Sequence, residues 1–154
     1  MSFIPTDQHE ILIIVKSLKS KQSTGHDGIS TKLLKQIIHN ITSPLEHIFN
    51  LSLSNGCCPD LLKLAKVIPI YKKDDPTQVT NYRPISLLPS ISKILERIVY
   101  KRLDSFLSLN NILNPAQFGF RKKFSTDFAI TKLLDKVIKF SFQKRSYNCF
   151  IHGP

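Results

Sequence analysis

The sequence predicts a helix-rich α+β fold. Five segments place apolar residues at the three- and four-residue spacing of an amphipathic helix, whereas only two short runs are rich in β-forming residues. With 154 residues, of which 42% are hydrophobic, the chain is long enough to bury a real core. It contains no internal repeat and no low-complexity linker, so we expect one domain over residues 1–154.

The first two helices are predicted near the N-terminus. A short apolar pattern over residues 11–18 indicates the first, and its five-residue apolar run is too short to span a membrane or to form a signal core. Ser30 can cap the second helix, from about Thr31 to His39, because its hydroxyl can accept a bond from a free amide of the first turn.

A third helix is predicted to begin at Ser43. Ser43, Pro44 and Glu46 match an N-cap, a first-turn proline and a capping-box acceptor, and Gly56 is a natural stop. Its apolar stripe consists of Leu45, Ile48, Phe49 and Leu53.

A β-hairpin is predicted within residues 66–86. The run Val67–Tyr71 is β-rich, and its internal Pro69 confines it to an edge strand or a bulge. A second run covers Tyr82–Leu88. Between them, Asp74-Asp75-Pro76 provides turn chemistry, because aspartate bonds its own backbone and proline fixes φ.

The hairpin carries candidate phosphate-binding residues. Lys72, Lys73 and Arg83 fall near one end of the predicted ribbon. A guanidinium offers a planar fork that matches phosphate oxygens, and an ammonium offers a mobile point charge, so these residues suit a polyphosphate or a nucleic-acid backbone. A solvated edge strand whose lysines prevent aggregation is the alternative that the residues leave open.

Two further helices are predicted in the second half. The longest should run from about Ile91 to Leu109, with one buried face. The last should begin with Ser125 or Thr126 as its cap, and its amides could also attract phosphate. The buried face of the helix from about Ile91 to Leu109 consists of Ile91, Ile94, Leu95, Ile98, Val99, Leu103, Phe106 and Leu107. The last helix carries Ile130, Leu133, Leu134, Val137 and Ile138.

The segment 117–124 interleaves aromatic residues with cations. Such a mixture can stack bases and neutralise phosphates. We expect its phenylalanines to be mostly structural, whereas its cations face a nucleic-acid backbone, and Gly119 allows either a positive φ or a close approach. The candidate nucleic-acid-binding residues are Gln117, Gly119, Arg121, Lys122 and Lys123.

The charge is strongly basic and unevenly distributed. The chain has 22 Lys and Arg against 11 Asp and Glu, a net charge of +11. Residues 60–154 hold 17 of the basic and seven of the acidic residues, so almost all of the excess lies there. Such an excess favours a polyanionic partner through counterion release and steering, although general solubility charge is the alternative.

Six short strings, in order and at ordinary family spacing, resemble the front part of a reverse transcriptase of the non-LTR, LINE-like retrotransposon family. They extend from residue 24 to about residue 138, three quarters of the chain. The strings are Gly25-His26-Asp27-Gly28-Ile29 followed by Leu33-Leu34-Lys35; Ala65 to Lys73; Asn81-Tyr82-Arg83-Pro84-Ile85-Ser86-Leu87-Leu88; Ser92-Lys93-Ile94-Leu95-Glu96; Gln117-Phe118-Gly119-Phe120-Arg121; and Ser125-Thr126.

The resemblance implies the fingers region of a right-hand polymerase, with the palm missing. The hairpin would then close over an incoming nucleoside triphosphate, contacted by Arg83 and by Lys72 or Lys73. Residues 117–121 would lie near the template or primer, so RNA, DNA or an RNA–DNA hybrid is the implied partner, together with a palm region and with no membrane. The family's cofactor is Mg²⁺, and we expect none in this chain.

The expected metal-binding aspartates are not found. In this family they come from a Phe-Leu-Asp strand and an Ala-Asp-Asp turn, and the second string occurs nowhere in the 154 residues. Cys149-Phe150-Ile151 resembles the approach to the first, but His152 stands in the place of the carboxylate. We therefore expect a truncated copy whose residues 144–154 are frame-shifted or unrelated, with no catalytic residues and no polymerase activity alone.

Other candidate sites are weak. Cys57 and Cys58 are adjacent, Cys149 is distant, and the five histidines lack the spacing of a zinc site. Three cysteines without a signal peptide predict an intracellular protein, nuclear or cytoplasmic and not secreted.

Three functions stay open at this point. One is a non-catalytic reverse transcriptase fragment with residual affinity for nucleic acid or nucleotide. The others are a stand-alone basic nucleic-acid-binding module, and an assembly piece that completes a polymerase supplied by another chain.

Overall fold

The computed structural model describes residues 3–121 and 124–151, with side chains up to residue 141. The chain forms two compact units, residues 1–106 (unit 1) and residues 107–154 (unit 2). The elements in chain order are α1 (Gln8–Ser17), α2 (Thr31–Asn55), α3 (Asp60–Lys63), β1 (Lys66–Tyr71), β2 (Tyr82–Leu87), α4 (Ser92–Leu109) and α5 (Thr126–Ile151).

This architecture confirms the helix-rich α+β class. The described residues form long helices and one antiparallel pair of strands, β1 with β2. The predicted single domain over residues 1–154 stays a prediction. Of the predicted tail, residues 144–151 continue the backbone of α5, and residues 152–154 lie outside the described residues.

The core of unit 1 joins α1, α2 and the first half of α4. Each helix presents apolar residues at helical spacing, and burying these faces against one another stabilises helices that would be marginal alone. The largest fully buried side chain is that of Phe49 on α2. The core cluster consists of Ile11, Ile14, Val15, Leu18, Leu34, Ile38, Leu45, Phe49, Leu53, Ile94, Leu95 and Ile98.

Helix α2 replaces two predicted helices. Its Ser30 cap is confirmed, since the Ser30 hydroxyl accepts a bond from the Leu33 amide at 3.1 Å, and its end at Gly56 is confirmed by a left-handed φ of 66°. The predicted start at Ser43 is wrong, because Pro44 lies inside a continuous 25-residue helix. Proline removes one backbone bond, but the buried face continues across it, so packing on a single core outweighs the loss.

The buried faces are also narrower than predicted. Ile48 on α2 is 42% exposed, and Leu103 and Phe106 on α4 are exposed as well, because the core of unit 1 covers only the first half of α4. The longest helix is α5, with 26 residues, and not α4, with 18. Its start is as predicted, since the Ser125 hydroxyl accepts a bond from the Phe128 amide at 3.2 Å.

The carboxylate of Glu10 joins α1 to α4. It accepts bonds from Arg102 Nη1 at 2.8 Å, from Arg102 Nη2 at 2.5 Å and from Lys101 Nζ at 3.2 Å, and the Thr6 hydroxyl donates to it at 2.9 Å. Arg102 also donates to the carbonyl oxygens of Ile4 and Pro5. The bonds from Arg102, above all, hold the pKa of Glu10 at about 2, well below its ordinary value of 4.5.

The loop 24–30 connects the helical core to both strands at the base of the β-ribbon. Gly25 is buried against the backbone of Leu88 and Pro89, just after β2. The Ser90 hydroxyl donates to the Ile29 carbonyl oxygen at 2.9 Å. On the other side, His26 Nδ1 lies 3.1 Å from the Leu64 carbonyl oxygen, two residues before β1. This junction therefore fixes where the ribbon leaves the core.

Replacing Gly25 by alanine should destabilise unit 1. The added Cβ would lie 2.8 Å from Pro89 N and 3.0 Å from the Leu88 carbonyl carbon, and the backbone on both sides is held by the core. We expect a loss of about 1–3 kcal/mol in the free energy of unfolding, measured by urea denaturation. Gly119→Ala is the control, because no atom of the described residues lies within 4 Å of its added Cβ. Equal stability of the two variants would contradict this account of the junction.

Stability should fall in acid through Glu10. Because its pKa is lower in the folded chain, the carboxylate stabilises the fold above pH 4.5, and this contribution is lost as the pH falls towards 2. The shift corresponds to roughly 3 kcal/mol at neutral pH. Glu10→Gln should be less stable than the parent at pH 7, and the difference should shrink between pH 4.5 and 2.

Thermal or urea unfolding at several pH values measures this difference. The exposed Glu96 gives the control, Glu96→Gln, which should track the parent chain. A gap between Glu10→Gln and the parent that stays constant with pH would contradict the assignment.

Candidate nucleic-acid interface

The β-ribbon is a two-stranded antiparallel structure in which Pro69 lies opposite Pro84. The Lys72 amide donates to the Asn81 carbonyl oxygen at 2.8 Å, so Lys72 and Asn81 form a hydrogen-bonded pair. Hydrogen-bonded and non-hydrogen-bonded pairs alternate along an antiparallel ladder, and Pro69 with Pro84 is therefore a non-hydrogen-bonded pair. The two prolines therefore cost the ribbon no hydrogen bond between its strands. Their missing amide N–H groups would have pointed outward, so each outer edge lacks a backbone donor at its middle. Further strands are thereby disfavoured, and the predicted edge position of Pro69 is confirmed.

The register places two of the predicted cations on one face. Ile70 lies opposite Arg83, and Lys72 follows two residues after Ile70, so the side chains of Lys72 and Arg83 are diagonal neighbours. Both are exposed. Tyr71 and Tyr82 lie on the opposite face, with ring centroids 5.7 Å apart in an edge-to-face contact.

The turn of the ribbon is braced by its own side chains. Asp75 Oδ1 accepts bonds from the amide and hydroxyl of Thr77, which lower the pKa of Asp75. Asn81 Nδ2 donates to the Asp75 carbonyl oxygen at 2.8 Å, and the Tyr82 hydroxyl donates to the Pro76 carbonyl oxygen at 2.9 Å. The Tyr71 hydroxyl donates to the Asp74 carbonyl oxygen. The predicted turn chemistry is confirmed, and the turn holds its shape without help from the ribbon's cations.

The cations of the ribbon keep their charge available. The ion pairs found among the described residues are Lys63–Asp60, Lys101–Glu10 and Arg102–Glu10, so Lys72, Lys73 and Arg83 take part in none. Lys73 follows Lys72 in the turn and is exposed as well. An anion that reached this end of the ribbon would not have to displace a carboxylate.

In unit 2, the segment 114–128 is organised by an aromatic cluster. Phe118, Phe124 and Phe128 have ring centroids 5.6–5.9 Å apart. Arg121 contacts this cluster, since its guanidinium carbon lies 4.6 Å from the centroid of the Phe124 ring. Its Nη1 also donates to the Asn114 carbonyl oxygen at 3.2 Å. Arg121 therefore shapes the loop, with only part of its donors left for a ligand.

The other predicted residues of this segment differ in their setting. Gln117 is exposed, and its side-chain amide lies 3.4 Å from the Gly119 carbonyl oxygen. Gly119 does not have a positive φ, and no described residue lies close to the place of its missing Cβ. The positive φ, 60°, belongs to Phe120, whose side chain is fully exposed. Lys122 and Lys123 lie outside the described residues.

The described residues do not provide a metal site. Across the described ranges, no three side chains of His, Cys, Asp and Glu lie together as metal ligands would. Cys57 and Cys58 are exposed free thiols. No helix in the described part of the chain is long and apolar enough to cross a membrane.

The described part of the chain thus has a basic ribbon on a helical core, and comparison with known proteins shows the class of protein to which the chain belongs. Residues 70–152, more than half of the chain, match the family described as reverse transcriptase (RNA-dependent DNA polymerase). The chain belongs to this reverse transcriptase family.

Its curated relatives are RNA-directed DNA polymerases of non-LTR retrotransposons, which confirms the resemblance. The chain is 33% identical over 144 residues to the probable RNA-directed DNA polymerase from transposon BS of Drosophila melanogaster, covering 93% of this chain and 16% of that protein. It is 32% identical over 135 residues to that of the mobile element jockey from the same species, covering 87% and 14%.

The similarity extends to a more distant element. The Pol polyprotein of the type-1 retrotransposable element R2 of Popillia japonica is 26% identical over 148 residues, which cover 96% of this chain and 19% of that protein. The chain thus spans less than a fifth of the length of these curated relatives.

Two residues that build the site were not predicted from their sequence pattern. Asn81 and Tyr82 stood inside a family string, but their bonds to the turn were not foreseen. The signal was present, since an amide and a phenol where the chain returns after an Asp-Pro turn can bond the carbonyl groups of that turn.

Proposed function

We propose that the chain forms the fingers part of an RNA-directed DNA polymerase of a non-LTR retrotransposon, and that its β-ribbon binds phosphate groups. The observation that carries this proposal is the placement of Lys72 and Arg83 side by side on an exposed face of a ribbon with a braced turn. Membership of the reverse transcriptase family supports it.

The ribbon suits a triphosphate for a physical reason. The guanidinium of Arg83 can bond two phosphate oxygens at once, and the ammonium of Lys72 or Lys73 can adjust to a third. Because hydrogen bonds among neutral groups and Asp75 hold the turn, the ligand does not have to order it, which lowers the entropy cost of binding. The proposed ligand is a nucleoside triphosphate held against a primer–template of RNA and DNA.

We further propose that these 154 residues do not catalyse nucleotidyl transfer by themselves. Mg²⁺ is the family's cofactor, and it needs carboxylates that the described residues do not gather. No metal-dependent step is therefore assigned to them. Their contribution would be to bind and orient, with the carboxylates supplied by a palm.

Two observations favour the other candidates. Residues 107–154 hold eight basic and two acidic residues, a density that suits a nucleic-acid-binding module acting inside the cell. The apolar residues of α5, such as Leu133 and Val137, are more than half exposed, which suits assembly onto a further part of a polymerase.

Loss of the Arg83 charge should weaken nucleotide binding with little effect on stability. Arg83→Ala removes a charge-assisted contact, and we expect an affinity for a nucleoside triphosphate at least about 10-fold weaker, measured by titration calorimetry. Lys66→Ala is the matched control, because Lys66 lies on the same face at the far end of the ribbon. An unfolded Arg83→Ala chain with unchanged affinity per folded molecule would show that Arg83 is structural.

A primer-extension assay tests the absence of catalysis. The purified chain, with an RNA template, a DNA primer, Mg²⁺ and all four nucleoside triphosphates, should bind the primer–template and add no nucleotide to it. A complete relative that is active under the same conditions is the positive control. Extension above the level of a protein-free reaction would overturn this part of the proposal.

A further inference from the structure

A groove lies within unit 2, between the loop 114–118 and α5. It has a volume of about 290 Å³; loop residues 114–116 and Phe118 line one side, and one face of α5 with Lys132 and Lys136 lines the other. Neither lysine was a candidate from the sequence, and no residue of the ribbon lines the groove.

Hydrogen bonds and aromatic contacts hold the loop side of the groove in place. The Ala116 amide donates to Asn114 Oδ1 at 2.8 Å, and the Gln117 amide donates to the Asn114 carbonyl oxygen at 2.9 Å, so the loop is a closed turn. Arg121 adds a bond to the same carbonyl oxygen. Phe118 is fixed by its contacts with Phe124 and Phe128.

The two lysines present uncompensated positive charge. Lys132 Nζ lies 5.4 Å from the centroid of the Phe118 ring, which positions the ammonium without neutralising it. Among the described side chains, no carboxylate forms an ion pair with Lys132 or Lys136, and no acidic residue lines the groove. They are four residues apart, hence about one turn and roughly 6 Å along the helix, so both lie on the same face of α5.

We propose that this groove binds the phosphodiester backbone of a single-stranded RNA, with Lys132 and Lys136 each contacting a phosphate. An apolar peptide would fit the aromatic wall but would leave both ammonium groups without partners. Within unit 2, the eight basic residues against two acidic ones also favour a polyanion over a peptide. The inference deepens the proposed function and rests on it only in taking the ligand to be a nucleic acid.

The charge-specific test uses a labelled oligouridylate of about 12 nucleotides, long enough to fill a single-strand site. Its anisotropy is measured against protein concentration at several salt concentrations. The double variant Lys132→Ala with Lys136→Ala should make the negative slope of log affinity against log salt shallower by about 1.4. The affinity for the oligouridylate at 0.1 M salt should then be roughly 10-fold or more weaker. Lys132→Arg with Lys136→Arg keeps both charges and should bind as the parent does.

The matched control is Lys19→Ala with Lys32→Ala, which removes two exposed charges from unit 1 and should change the slope little. If the groove pair behaves like this control, or if the arginine pair loses binding while circular dichroism shows a folded chain, the proposal is overturned. The proposed function fails separately, when Arg83→Ala leaves nucleotide affinity unchanged. If the Lys132→Ala with Lys136→Ala variant loses RNA affinity and keeps its affinity for the nucleoside triphosphate, the inference is supported whatever Arg83→Ala does.

Discussion

The close approach of Gly25 to the backbone of Leu88 and Pro89 is the constraint on which the candidate site depends. A two-stranded ribbon is marginally stable by itself, and both faces of this one are largely exposed. Its position must therefore be imposed at its ends. The absence of a Cβ at Gly25 lets the strand end reach the helical core, and the bond from Ser90 to Ile29 holds it there.

Two separate sets of bonds then give the ribbon a defined shape. The base is fixed by the junction with the core, whereas the turn is fixed by Asp75, Asn81 and Tyr82. Between them the proline pair keeps other strands from joining at the edges. A ribbon fixed at its two ends and left uncovered between them can present cations to a ligand without a change in fold.

Local signals predicted the parts of the fold that neighbouring residues decide. The caps at Ser30 and Ser125, the stop at Gly56 and the hairpin around Asp75 depend on short-range hydrogen bonds and φ preferences, and they were predicted. The helix break at Pro44 was wrong, because the core shared with α1 keeps α2 continuous, and the sequence pattern around Pro44 carries no information on that packing. For the same reason, the family string identified Gly25 but not its contact with Pro89, 64 residues away.

The partners of the basic side chains separate structural cations from available ones. The chain has twice as many basic as acidic residues, so in one-to-one pairs at least half of the cations lack a carboxylate partner. Among the described residues, Glu10 forms ion pairs with Arg102 and Lys101 where α1 meets α4, and Asp60 forms an ion pair with Lys63. Arg121 and Lys132 are instead held by carbonyl groups and aromatic rings, which fix a cation while leaving its charge in place. Glu10 is held where α1 meets α4, and the ion pairs of the described residues involve neither the cations of the ribbon nor Lys132 and Lys136 of α5.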